Sequence, residues 1–286
     1  MNFIKILNWN ILGAQASDLI SFEKRYPNVT NWSKRFQLLI EKIISFDADI
    51  ICLQEIDTKR KKEFADSLHE YGFQESSYEK RAKNGGVIVL HKASKFKVID
   101  KKGMQLTGGK ALKNSGASAW VTLLCKQTQQ KILINSLHLH WEFGQEQLIE
   151  LMQALKTSIS IPMILAGDFN IAYKTMLKKI LINLNQLRIL KNQNCFSLFE
   201  HSSYTTQPPH NIDPTSWESL DHIIFSSDLK LDLADSFVGN NQHTYQDNAV
   251  KKIELAMKDN SKEFIPSDIC PSDHLPIIAS FMLGKR

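Results

Sequence analysis

No run of apolar residues in this chain approaches the ~18 needed to cross a bilayer. The longest candidates, Ile161 to Ala166 and Ile132 to Leu137, the second broken by Asn135 and Ser136, are strand-sized and are followed by polar residues. The four cysteines, Cys52, Cys125, Cys195 and Cys270, form no Cys-x-x-Cys pair, so neither a zinc knuckle nor a redox dithiol is indicated. The amino terminus lacks the apolar stretch and small-residue cleavage site of a secretory leader. A reduced, cytoplasmic setting is the simplest expectation, and leaderless export would leave no trace in the sequence. Glycine and proline are sparse, at 12 and 8 residues in 286, and charged residues make up 23%. That excludes collagen-like, low-complexity and largely disordered chains. No excess of one charge stands out either: 35 Lys and Arg against 30 Asp and Glu give +5, compatible with a polyanionic partner without demonstrating one.

What the chain has is hydrophobic content, 43%, enough for a substantial core without disulfides or a structural metal. Strand-like and helix-like segments alternate. Phe3 to Trp9, Asp49 to Gln54, Gly86 to His91, Ala119 to Cys125, Lys131 to Leu137, Pro162 to Ala166, His222 to Phe225 and Ile277 to Phe281 read as strands. Trp32 to Phe46 carries Phe36, Leu39, Ile40, Ile43 and Ile44 at helical spacing, with Asn31 or Ser33 as cap. Lys59 to Tyr71, Gln145 to Lys156 and Tyr173 to Leu184 read as further helices. Gly103 to Ser118, Thr205 to Trp217 and Gly239 to Ser272 read as loops, the last with a short helix around Ala249 to Met257. No repeat or linker divides the chain, so a single mixed α/β domain over residues 1–286 is expected.

The informative residues stand at strand ends. Asn10 follows the first strand, Glu55 the second, and His138 follows Lys131 to Leu137. Asp168 and Asn170 follow Pro162 to Ala166, Asp221 precedes His222 to Phe225, and Asp273 and His274 precede the last strand. Each alone has an ordinary structural explanation, as a turn, cap or buried histidine. Strands ending on one rim would gather them into a site able to hold a hard divalent cation and a phosphate.

The ordered set Leu7-Asn8-Trp9-Asn10, Leu53-Gln54-Glu55, His138-Leu139-His140-Trp141, Gly167-Asp168-Phe169-Asn170, Leu220-Asp221-His222-Ile223 and Ser272-Asp273-His274-Leu275-Pro276 resembles the endonuclease/exonuclease/phosphatase superfamily, the deoxyribonuclease-I-like fold. The resemblance spans residues 3 to 282. It implies an α/β (α+β) four-layer sandwich, two packed mixed β-sheets flanked by helices, and Mg²⁺-dependent attack of water on a phosphate ester, with Mn²⁺ as a substitute. It implies a metal set of Glu55, Asn10 and Asp273. Asp168 then positions or deprotonates water, Asn170 and His138 donate to phosphoryl oxygens, and Asp221 orients His274 at the phosphate. Such a donor set suits a transition state that builds negative charge on non-bridging oxygens.

Trp32-Ser33-x-Arg35, the Ala48 to Glu55 segment, His138 to Trp141 and Pro271 to His274 resemble the deadenylase/nocturnin branch. That favours a phosphodiesterase cleaving single-stranded RNA or DNA, with a nucleic acid or nucleotide as substrate and a monomer as the expected state. The branch's histidine motif continues with an acidic residue and a proline, whereas Glu142-Phe143 follows Trp141 here. Trp217 and Trp141 are the candidate base-stacking residues. Lys80, Arg81 and Lys83 could contact a nucleic-acid backbone but read more simply as a solvated basic turn, and Lys101, Lys102, Lys110 and Lys113 could line a substrate groove but have the same simpler reading. Two other readings remain: a phosphatase or phosphodiesterase for an inositol phosphate, sphingomyelin or nucleotide, and a non-catalytic binding protein.

Overall fold

A computed structural model describes residues 3–13, 31–81, 85–155, 161–172, 196–198, 220–226, 229–238, 271–272 and 274–283. Its strands form two six-stranded sheets. The first runs in the order β11 (Leu229–Val238), β12 (Ile277–Leu283), β1 (Phe3–Asn10), β2 (Ile50–Ile56), β4 (Gly86–Lys92), β3 (Phe73–Lys80). The second runs β5 (Phe96–Leu106), β6 (Gly116–Cys125), β7 (Lys131–His138), β8 (Met163–Asp168), β10 (Asp221–Ser226), β9 (Phe196–Leu198). Each is mixed, with one parallel pair, β1/β2 in the first and β7/β8 in the second.

Side-chain alternation decides which face of each strand meets the other sheet. In the second sheet Ile132, Ile134, Ile164, Ala166, Ile223 and Phe225 enter the core shared with the first sheet. Their neighbours Leu133, Leu165 and Ile224 pack instead with Leu148, Leu151, Met152 and Leu155. Those last four form the buried stripe of α3 (Gly144–Leu155), which therefore covers the outer face. On the first sheet α1 (Trp32–Ser45) buries Leu39, Ile40 and Ile43, and α2 (Lys61–His69) buries Phe64 and Leu68. Asn31 caps α1, its side chain accepting from Lys34 N at 3.2 Å. Phe36 and Phe64 meet edge to face at 4.9 Å between the two helices. The result is the four-layer sandwich that the resemblance implies.

The same alternation carries the polar residues inward. His138 and Asp168 stand at even positions beyond Ile134 and Ala166, and Asp221 stands two before Ile223, so all three face the first sheet. On that sheet Gln54 Nε2 donates to Asn8 Oδ1 at 2.9 Å and, across the interlayer, to Ser136 Oγ at 3.1 Å. Asn8, Asn10 and Gln54 thus face the second sheet.

One loop and several strands differ from expectation. Gly103 to Ser118 is not one long loop: β5 runs to Leu106 and β6 starts at Gly116, leaving a short connection with a 3₁₀ turn at Leu112–Asn114. β5 escapes the apolar pattern because it is largely exposed, with Lys97, Asp100, Lys101 and Lys102 along it. β3 and β11 were likewise not expected as strands. The helix expected at Tyr173 to Leu184, the loop at Thr205 to Trp217 and all but the last two residues of the loop at Gly239 to Ser272 lie outside the described residues.

Candidate active site

β7, β8 and β10 end in register. His138 pairs with Asp168 across the parallel pair, and Asp221 pairs with Asp168 across the antiparallel one. Cross-strand partners share a face and stand close, so this row places an imidazole and two carboxylates side by side. All three side chains are buried.

Asp168 Oδ2 is the meeting point. Asn10 Nδ2 donates to it at 3.0 Å, His138 Nε2 lies at 3.5 Å and His274 Nε2 at 3.9 Å. The other oxygen, Oδ1, accepts from Asn170 N at 2.9 Å. Asn170 adopts φ +49°, a left-handed conformation that asparagine tolerates well. Its side-chain Nδ2 donates to Leu139 O at 2.8 Å, bracing the turn after β7.

Glu55 arrives differently. Alternation after Gln54 would turn it away from the interlayer. Instead it takes φ +64°, and the β2/β4 register shifts between Leu53 and Ile56. This bulge re-aims the side chain into the site. Asn10 Nδ2 donates to Glu55 Oε1 at 3.1 Å and Gly13 N to Oε2 at 2.8 Å. One amide nitrogen therefore bridges two carboxylates, while Asn10 Oδ1 accepts from Leu12 N. Asn10 enters as a donor that ties Glu55 to Asp168. Arg35, fully buried on α1, fixes the loop beyond Asn10 by donating to the carbonyls of Ile11 and Leu12.

His274 Nδ1 lies 2.8 Å from Asp221 Oδ2, a buried pair. Trp9 Nε1 donates to His274 O at 2.8 Å, and Ser272 Oγ donates to Asn10 O at 2.6 Å, so the segment before β12 is pinned to the end of β1.

Burial, and then the neighbouring Asp221, push the Asp168 carboxyl up to about 7. Burial holds His138 well below the ordinary histidine value, helped by the positive charge of Arg81 and by His274. Two like charges facing each other without water is an arrangement that a cation relieves. Asp168, Asp221 and His274 bring their ligand atoms within 4.8 Å of one another. Glu55 Oε1 adds a further hard oxygen on the same amide as Asp168. The donor chemistry, oxygen-rich with buried negative charge, suits a hard divalent ion.

Asn10, Glu55, His138, Asp168, Asn170, Asp221 and His274 are thus brought together. Asp273 and Trp217 lie outside the described residues. Trp141 sits on the rim, 71% exposed. His140 stacks on it at 5.8 Å and on Phe143 at 5.1 Å, and Lys110 Nζ lies 5.3 Å from the Phe143 ring. Arg81 corrects an expectation: it is not part of a solvated turn but a half-buried guanidinium with Nη1 2.9 Å from His138 Nε2. Its basic neighbours gave the sequence no means to single it out. The only available signal was its position at the end of an unrecognised strand, just before Gly85-Gly86.

A two-sheet sandwich with helices outside, and carboxylates, amides and imidazoles converging where strands end, is the arrangement that the sequence resemblance implies. The profile of the Endonuclease/Exonuclease/phosphatase family matches residues 7–118. Nocturnin of Rattus norvegicus is 26% identical over 311 residues, covering 99% of this chain; the chain spans 66%, about two thirds, of that relative's length. The CCR4-Not complex 3′-5′-exoribonuclease subunit Ccr4 of Saccharomyces cerevisiae is 22% identical, covering 89% of this chain and 36% of its own length. The structure of ANGEL2, a 2′,3′-cyclic phosphatase, superposes with a TM-score of 0.74 at 18% identity, covering 98% of this chain and 95% of that one, which shows the shared fold. The chain is thus similar to the endonuclease/exonuclease/phosphatase family over residues 7–118, and its similarity to nocturnin and Ccr4 points to the deadenylase/nocturnin branch. Among the described residues no helix is long and apolar enough to cross a membrane.

Proposed function

We propose that the protein is a divalent-metal-dependent phosphoric ester hydrolase, a phosphodiesterase of the nuclease type that acts on single-stranded RNA or a related nucleotide. The observation that carries this reading is the convergence on Asp168 Oδ2 of an amide from β1 and imidazoles from β7 and from the segment before β12. Glu55 and Asp168 would hold Mg²⁺, with Asn10 ordering both carboxylates and Asp273 as a further member. Bound there, the cation supplies positive charge to the phosphoryl oxygens and lowers the pKa of water.

The chain's own groups do the rest. Asp168 Oδ2, beside His138 and His274, would take the proton from the attacking water. Asp221 fixes the His274 ring through Nδ1, leaving Nε2 to meet a phosphoryl oxygen. His138 and Asn170 complete the wall beside that oxygen. Trp141, exposed and stacked on His140, offers a face to a nucleobase, which favours a nucleotide-bearing substrate over a sugar or lipid headgroup. The exoribonuclease activity named for Ccr4 supports the same substrate class.

The test is hydrolysis of end-labelled single-stranded RNA and DNA with Mg²⁺ or Mn²⁺, with and without chelator, beside inositol phosphates and sphingomyelin. Chelator-sensitive cleavage of the oligonucleotides is expected. Turnover of inositol phosphates or sphingomyelin with none of any oligonucleotide would replace the nuclease reading.

A further inference from the structure

Arg81 follows the last residue of β3, and its own N–H donates to Gly85 O at 2.9 Å, closing the turn toward β4. The side chain runs into the site. Nε donates to Ser115 O at 3.3 Å, and Nη1 lies 2.9 Å from His138 Nε2 and 3.3 Å from Nδ1. An atom that close to both ring nitrogens lies over the face of the imidazole, not along either nitrogen's in-plane direction. The two ring nitrogens therefore keep their in-plane bonding directions, with Nε2 beside Asp168.

Burial draws the guanidinium pKa down, while Glu55 and Asp168 oppose that shift. Arginine remains charged under such conditions. Among the described residues no carboxylate comes within ion-pair distance of Arg81, and no acceptor meets its Nη2. A phosphate entering this rim meets Glu55, Asp168 and Asp221, three acidic side chains. A fixed cation held by a backbone carbonyl, with donors unspent, is the chemistry that offsets them.

We propose that Arg81 contacts the substrate directly, donating its guanidinium N–H groups to a non-bridging phosphate oxygen on the His138 side of the site. The proposal deepens the phosphoric ester hydrolase reading and rests on it for the identity of the ligand. It is distinct from a bracing role, in which Arg81 would only hold His138 and Ser115 in place. Bracing affects turnover but not the affinity of a small anion in proportion.

The experiment measures inorganic phosphate binding by calorimetry in the presence of Mg²⁺, and phosphate inhibition of turnover, for the wild type, Arg81→Gln, Arg81→Lys and Arg81→Ala. Phosphate affinity should fall about tenfold to a hundredfold in Arg81→Gln. Arg81→Lys should fall between, since it keeps the charge and loses the fork. The Mg²⁺ concentration for half-maximal activity should stay unchanged, and free guanidinium should partly restore Arg81→Ala. Unchanged phosphate affinity in Arg81→Gln, or no phosphate binding by the wild type, would overturn the proposal. If the wild type binds phosphate yet hydrolyses no ester, the hydrolase reading fails while the binding comparison still decides the role of Arg81.

Discussion

Asp168 and Asp221 face each other across the antiparallel β8/β10 pair in direct register, two buried carboxylates on neighbouring strands. Like charges opposed in this way destabilise a sheet. Here one of them is held by His274 and the other by Asn10 and the Asn170 backbone. A fold that keeps such a pair does so for chemistry, and the cost is measurable.

Asp168→Asn removes the opposed charge. The folded-state value, about 7, lies above the usual 3.8, so the wild type loses stability as pH rises between those two values and carries the full penalty above 7. At pH 8 the variant should be more stable than the wild type by about 1 kcal/mol, the relief being reduced by one lost hydrogen bond. The advantage should shrink as pH falls below 7 and vanish below about pH 4, where folded and unfolded chains both carry the proton. Turnover should fall about 10²- to 10⁴-fold. Chemical denaturation at pH 8 and below about pH 4, beside an activity assay, checks both halves.

His222 gives the opposite pH dependence. Burial lowers it to about 4, and its Nε2 lies 2.9 Å from the Ile171 carbonyl. The unfolded chain takes up a proton near 6.5 while the folded one does not, so stability present above that pH is lost as pH falls toward 4. The wild type should lose about 3 kcal/mol relative to His222→Gln across that window. Parallel urea titrations at pH 7.5 and 4.5 measure it.

Gly85 carries φ +67°, and a Cβ there would lie 2.7–3.0 Å from the backbone of Glu55. Gly85→Ala meets strain and a backbone clash that no side-chain rotation relieves. It should destabilise by more than about 1 kcal/mol and displace Glu55. Raised metal requirement, read as a shifted Mg²⁺ activation curve, should accompany the lower melting temperature.

Trp141→Ala removes an exposed ring, so stability should stay within about 0.5 kcal/mol. KM for nucleotide-bearing substrates should rise about tenfold, as expected for a lost base stack. Steady-state kinetics on a short oligonucleotide and on a nitrophenyl phosphodiester separates the two: the second should be unaffected.

The strand-end residues were legible because period-two patterning and strand boundaries coincide at them. Asn10, His138, Asp168 and Asp221 all lie where an apolar run stops, and alternation from Ile134, Ala166 and Ile223 points them inward. Glu55 was legible as a strand-end residue, but not its route into the site, since a positive φ and a register shift leave no mark in Leu53-Gln54-Glu55. β5 was hidden by its exposure. An edge strand with lysines along it has no apolar period to read. Arg81 was hidden for a related reason: among Lys80 and Lys83 its charge looks ordinary, and only the close approach of β3 to the second sheet brings its side chain against His138.

The central claim is that these residues hold a divalent cation at a phosphate. The most direct measurement titrates Mg²⁺ or Mn²⁺ into wild type and Glu55→Gln, following both melting temperature and cleavage of labelled single-stranded RNA. A cation that binds the folded state raises its stability by mass action. The account predicts a saturable rise in melting temperature and metal-dependent cleavage in the wild type, with both lost or strongly weakened in Glu55→Gln. Cleavage that persists undiminished in Glu55→Gln, or in the presence of excess chelator, would contradict it.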